Sequence, residues 1–424
     1  MFGISFIGPG AESGASLKDL VNVPGLPVPY CKDNLLSDHL LAAAFMQSLH
    51  LTVQQHINPE TKEGFSCISY YSDDQKDGAL TSKEDFGFLA TMSAPFVRRL
   101  VKIVDKLGPA LEIRPRAGEQ KEKPTANLEH DPELDALLEG DVYVSEQEAL
   151  EIISGWPSPK SQTQTELGGF TIFYDMIRLV WVHEWAHALT GHVVLLNDEL
   201  GLSKLHEFST ERAGGSLYGK FTRSEVLQAL EAHADEFATR TCIQGILWGH
   251  DPVADIAGPR VDLMDRLLLF NIACCVFAIT WALAEKKYSP DDTFRPPLKD
   301  LTDDTPGPIY ALTRSTHPPA VLRYQNFRGF QREISANYRD AQGATHLSTM
   351  VDAYSYGFVL TLGQLSRYFY GLQVMTPMWA RTPTEKVLEA YTNHLVDVSV
   401  ALSPKLMERY YIPTVDPYAE EEPA

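Results

Sequence analysis

Residues 183–187 read HEWAH, two histidines one helical turn apart around a glutamate. On a helix this spacing turns both imidazoles to one face, where they can reach one cation, and sets a carboxylate beside them. Zinc takes nitrogen and oxygen ligands, and a catalytic zinc site draws three from the protein and leaves a fourth place to water. A neighbouring glutamate can take that water's proton. His183 and His187 are therefore candidate ligands and Glu184 a candidate general base. The motif is short enough to occur by chance, so a third ligand must decide it.

Two registers can be tested for that ligand. One asks for a glycine three residues after the second histidine and a histidine six after; Thr190 and Val193 stand there, so that register fails. His192 lies five residues past His187, about 140° round a regular helix, and is read as structural unless the helix breaks. The other register asks for a glutamate on a later helix, and residues 231–238, EAHADEFA, supply one. Glu231, Ala234, Asp235 and Ala238 share a helical face. Glu231 can ligate, and Asp235 can accept the outer N–H of a ligating histidine and so fix its tautomer. The two alanines let this helix approach the first closely. His233 is a competing ligand.

A further segment, STHPPAVLR at 315–323, sets His317 before two prolines and Arg323 six residues later. Pro318 and Pro319 stiffen the entry to a helix and would hold His317 in place. A fixed histidine and arginine near a metal can stabilise the oxyanion of a tetrahedral intermediate. The same residues also suit a proline-rich turn with an ordinary arginine.

These residues need helices to hold them. Met176, Val180, His183 and His187 are spaced four, three and four apart, one stripe of a long apolar helix that follows Gly168–Gly169. The glutamate helix opens at Thr222, with Glu225 completing a capping box. An apolar helix over 263–285 follows; its stretch 267–284 reaches the length of a membrane span, but Asn271 and Thr280 interrupt it and charges flank it. A buried core helix is expected there, with a membrane anchor as the alternative. Upstream, 51–72 predicts a β-hairpin around NPETKEG, 96–107 a helix, and 108–140 a Pro-, Glu- and Lys-rich acidic linker. DVYV at 141–144 predicts a short strand, and Ser145 with Glu148 a second capping box. GPGAESG at 8–14 lacks the spacing of a phosphate loop.

The expected fold is mainly α (α+β), packed helices with a small β element. Three regions are expected: an α+β region with its acidic linker over 1–140, a core over 141–335 and a helical region with a charged tail over 336–424. The chain has 424 residues, 44% hydrophobic and 22% charged, which suits a folded globular protein. A net charge of −20 argues against a nucleic-acid partner, because phosphate binding needs a basic surface. The cysteines, Cys31, Cys67, Cys242, Cys274 and Cys275, are odd in number and form no C-x-x-C pair. That disfavours a disulfide framework or a cysteine zinc site and suits a reducing compartment. The start, MFGISFIGPGAESG, does not read as a signal peptide, so a cytoplasmic location is expected.

HEWAHALTGH, EAHADEFA and STHPPAVLR, in that order, resemble the gluzincin zinc metallopeptidases of the HtpX and CAAX-prenyl-protease type. The resemblance covers about residues 170–330. It implies a zincin-like core, one catalytic Zn²⁺ held by His183, His187 and Glu231, and Glu184 as catalytic base. It implies Asp235 as the outer partner of a ligand, and His317 with Arg323 as substrate or transition-state groups. The implied activity is hydrolysis of a protein or peptide substrate. Many such relatives span the membrane several times, whereas this chain has at most one candidate span; soluble bacterial relatives of the Lit type are a nearer setting. EAHADEFA is also similar to the glutamate helix of ImmA/IrrE-like regulators, which leaves a regulatory or non-catalytic zinc protein as the alternative.

Overall fold

The computed structural model describes residues 3–7, 66–72, 78–84, 87–107, 142–155, 164–200, 204–206, 216–217, 221–247, 266–274, 317–318, 320–338 and 385–406, with isolated positions at 133, 136–137, 263 and 276–277. These residues are mainly helical. The strands are β1 (Gly3–Ile7), β2 (Ser66–Ser72), β3 (Ala79–Glu84), β4 (Gly87–Ser93), β5 (Lys204–His206), β6 (Ser216–Leu217) and β7 (Phe221–Thr222). The helices are α1 (Ala94–Leu107), α2 (Glu146–Gly155), α3 (Gln164–Leu189), α4 (His192–Leu200), α5 (Arg223–Leu247), α6 (Ala320–Asn337) and α7 (Glu385–Leu406).

Helix α3 is the centre of the core. Every side chain from Thr171 to Leu196 is buried, so burial is not confined to the expected stripe of Met176, Val180, His183 and His187 but takes in polar residues such as Asp175 and Arg178 as well. Helix α5 packs along it and is itself covered by α6 and α7. Ala234 and Ala238 are fully buried on α5, where small side chains permit close approach. The α5 start carries the expected reciprocal box: the Glu225 amide donates to Thr222 Oγ1 at 3.2 Å, and the Thr222 amide to Glu225 Oε2 at 2.5 Å. At α2 only half of the expected box forms. The Glu148 amide donates to Ser145 Oγ at 3.2 Å, while the Glu148 carboxylate takes Lys102 Nζ at 2.5 Å instead.

A five-stranded mixed sheet, in the order β1-β2-β4-β3-β5, lies against α3 through β3 and β4. Strands β1, β2 and β4 run parallel, while β3 runs antiparallel to both β4 and β5. This corrects the hairpin expected at 51–72. Both edges of β2 are already taken by parallel partners, so no antiparallel return strand pairs there; residues 51–65 lie outside the described residues. The hairpin is instead β3–β4, where Glu84 pairs with Gly87, whose φ of 133° suits only glycine. Residues 142–144 are not a strand, and α3 begins at Gln164, so Gly168 and Gly169 lie inside it.

Strands β3 and β4 and helix α1 pack directly on α3. Of the apolar stretch 267–284, the part at 267–274 is helical and largely buried. Its polar residue Asn271 donates to Gln331 Oε1 of α6 at 3.0 Å, and Gln331 Nε2 donates back to the Leu267 carbonyl at 3.1 Å. Among the described residues, no helix is long and apolar enough to cross a membrane. Most of 275–284, the linker 108–132 and the tail lie outside the described residues. Cys242 and Cys274 are buried thiols.

Candidate metal centre

Helices α3 and α5 bring three ligating atoms to one point. His183 Nε2 lies 3.0 Å from His187 Nε2 and 3.1 Å from Glu231 Oε2, and His187 Nε2 lies 3.6 Å from Glu231 Oε1. Ligands bound at about 2.0–2.1 Å in tetrahedral array sit roughly 3.3 Å apart, so this spacing suits one small cation. All three residues are buried, and together they could hold a metal ion. The candidates His183 and His187 thus meet Glu231, the residue that the resemblance implies as third ligand, and not its competitor His233.

The donor set fits a cation for a second reason. His183 Nδ1 sits 2.9 Å from Asp235 Oδ1, a carboxylate oxygen that can only accept, so the ring proton belongs on Nδ1. The Nε2 lone pair of His183 then faces the Glu231 carboxylate and His187. A cation at the centre would turn this convergence of acceptors into bonds.

Asp235 is itself gripped by Arg323. Nε donates to Oδ2 at 2.6 Å and Nη2 to Oδ1 at 2.5 Å, with both residues buried. Burial pushes the Asp235 carboxyl up, but the Arg323 charge and the His183 hydrogen bond outweigh it and hold the group below its ordinary value. The resemblance implies Arg323 as a substrate or transition-state group; its guanidinium binds Asp235. His317 does come to the centre, with Nε2 3.6 Å from Glu231 Oε2.

Glu184 lies on the same helix and meets a residue that the sequence did not single out. Thr81 of β3 places Oγ1 2.5 Å from Glu184 Oε2 and 2.9 Å from the Glu184 carbonyl. Thr81 is fully buried between Ala90 of β4 and Leu205 of β5 in the sheet register. Its signal in sequence was only that of a β-branched residue in a strand, which carries no hint of a partner 103 residues away.

The competing histidines find other places. The helix breaks after Leu189: Thr190 Oγ1 donates to the Ala186 carbonyl at 2.7 Å, and Gly191 turns the chain with a φ of 80°. His192 therefore starts α4 and swings back, its Nδ1 2.8 Å from Nδ1 of His187. The 140° separation of a continuous helix does not apply, and Gly191 was the available signal for that break. His233 lies 3.0 Å from His192 Nε2 through its Nδ1 and stands outside the ligand cluster, where Glu231 has the place. Burial, then the nearby His187 and His233, hold the His192 imidazole well below its ordinary value, while burial lowers His233 against an opposing pull from Glu236.

Comparisons with family models, with curated proteins and with solved structures find no match to this chain.

Proposed function

We propose that this protein is a zinc-dependent endopeptidase with a zincin-like core, acting on a protein or peptide substrate. The observation that carries the reading is Glu184: it neighbours His183 in the chain, beside a cluster able to hold a metal, and Thr81 fixes one of its carboxylate oxygens. A purely structural metal site has no use for such a carboxylate. The resemblance of the three sequence motifs to gluzincin peptidases supports the same assignment.

His183, His187 and Glu231 would hold the zinc, which when bound polarises a scissile carbonyl and makes water a stronger acid. Glu184 takes the proton of the attacking water on its carboxylate and returns it to the leaving amine. Thr81 keeps that carboxylate aimed. Asp235 holds the His183 ring with its proton on Nδ1, and Arg323 keeps Asp235 ionised. His317, close to the Glu231 carboxylate, is placed to donate to the developing oxyanion. A cytoplasmic setting suits the buried thiols of Cys242 and Cys274.

One observation favours a second reading, a regulatory or non-catalytic zinc protein. His183, Glu184, His187 and Glu231 are each only 1–2% exposed, which suits a closed structural site. The deciding experiment pairs metal analysis with cleavage of a protein-derived peptide library by wild type and by Glu184→Gln. The peptidase reading expects about one zinc per chain in both proteins and cleavage lower in the variant by roughly 10²–10⁴. Zinc in both with no Glu184-dependent cleavage overturns the peptidase in favour of the non-catalytic reading.

A further inference from the structure

The two ligating histidines are backed in different ways. His183 presents its outer nitrogen to a carboxylate, Asp235 Oδ1 at 2.9 Å. Behind the His187 outer nitrogen stands another imidazole, His192 Nδ1 at 2.8 Å, and behind that a third, His233 Nδ1 at 3.0 Å from His192 Nε2. His192 is fully buried and His233 half-buried, so the row runs from the centre towards the surface.

A hydrogen bond between two ring nitrogens needs one N–H and one lone pair. If His187 offers its Nε2 lone pair to a metal, its proton is on Nδ1 and is donated to His192 Nδ1. Neutral His192 then carries its own proton on Nε2 and donates it to His233 Nδ1, which leaves the His233 proton on Nε2. One choice at the centre fixes all three rings. The turn at Thr190–Gly191 makes this possible, because it alone brings His192 back over His187.

We infer that His192 and His233 are positioning residues which set the tautomer of His187 and so present its Nε2 to the metal, resting on the reading that His183, His187 and Glu231 bind one. Neither residue ligates. Together they supply for His187 what Asp235 supplies for His183.

The test uses the full chain and zinc alone, titrated against a chromophoric chelator. His192→Phe keeps a ring but cannot accept from His187, and zinc affinity should fall about 10- to 100-fold, the usual cost of losing an outer partner. His192→Gln can accept through its carbonyl and donate through its amide, and should recover most of that loss. ¹⁵N shifts of the zinc-loaded wild type should show protons on Nδ1 of His187 and on Nε2 of His192 and His233. His233→Leu, at the half-buried end, interrupts the row without touching His187; it should weaken zinc several-fold and keeps the test open if His192→Phe does not fold. Zinc bound within about threefold of wild type by His192→Phe or, where that protein does not fold, by His233→Leu overturns the inference. So does a proton on Nδ1 of His192 in the loaded protein. Absence of zinc uptake by wild type overturns the metal reading itself.

Discussion

Arg323 on α6 holds both carboxylate oxygens of Asp235 on α5, and Asp235 in turn holds the outer nitrogen of His183 on α3. Three helices are thereby tied to one ring. Both charges are buried, so their pairing is stabilising only while both are present: removing one partner strands the other in low dielectric. Arg323→Leu should therefore lower unfolding free energy by about 3–5 kcal/mol, read from urea denaturation. Asp235→Asn should weaken zinc binding about 10- to 100-fold through the His183 ring. Lysine at 323 should not rescue, because the two-point grip needs the planar guanidinium. A variant at 323 with unchanged stability and full zinc content would show that the pair matters little.

Thr81→Val keeps the shape and the strand preference and removes only the hydroxyl. Zinc content should be unchanged, since the Thr81 hydroxyl bonds to Glu184 and not to His183, His187 or Glu231. Turnover of a cleaved substrate should fall about 10- to 100-fold, the scale of losing a hydrogen bond of roughly 1.5–3 kcal/mol to a charged group. Thr81→Ser should retain most of the activity. Equal turnover in Thr81→Val and wild type would remove Thr81 from the site's working parts.

The candidate trio was legible in part: helix periodicity turns His183 and His187 to one face and sets Glu231 and Asp235 together on a second helix, but it left His233 as a competitor, and only the resemblance to gluzincin peptidases singled out Glu231. Local rules also reached the capping box at Thr222 and the buried stripe of α3. What they missed depends on contacts between distant segments or on one backbone break. Thr81 reaches Glu184 only through the stacking of β3 on α3. Arg323 carries no sign in sequence of which carboxylate it will grip. His192 was placed by assuming an unbroken helix, and one glycine at 191 undid that. Strand pairing at 66–72 failed for a similar reason: nothing local says that β1, some 60 residues earlier, takes the edge that a hairpin would have used.

His317 offers a test of chemistry apart from ligation. Its Nε2 stands beside the Glu231 carboxylate, yet His317 is not one of the three clustered ligands. His317→Ala should keep zinc and lower turnover by about 10²–10³, the scale of losing one oxyanion donor. The measurement is kcat at matched zinc content. Loss of zinc in this variant would move His317 into the ligand set, and unchanged turnover would reduce STHPPAVLR to a structural turn.

Acid sensitivity of the metal-free chain follows from the same row of rings. His192 and His233 are both held below the ordinary histidine value of 6.5, His192 well below it. Well above pH 6.5 neither folded nor unfolded chain protonates these rings, and their contribution is fully present. As pH falls below 6.5 the unfolded chain binds protons that the native rings refuse, so stability falls, by up to about 1.4 kcal/mol per pH unit for each unmatched proton. The loss continues until the pH passes the folded-state values. Asp235 does not contribute in this window, because its carboxyl is held low and its loss comes in stronger acid. Urea midpoints of the chelated protein between pH 7.5 and 5.5 should therefore fall with pH. His192→Gln removes one of the two rings, and its pH slope should be shallower than wild type by up to one proton. A wild-type midpoint flat across this range, or a His192→Gln slope as steep as wild type, would mean that His192 is not buried in its neutral form.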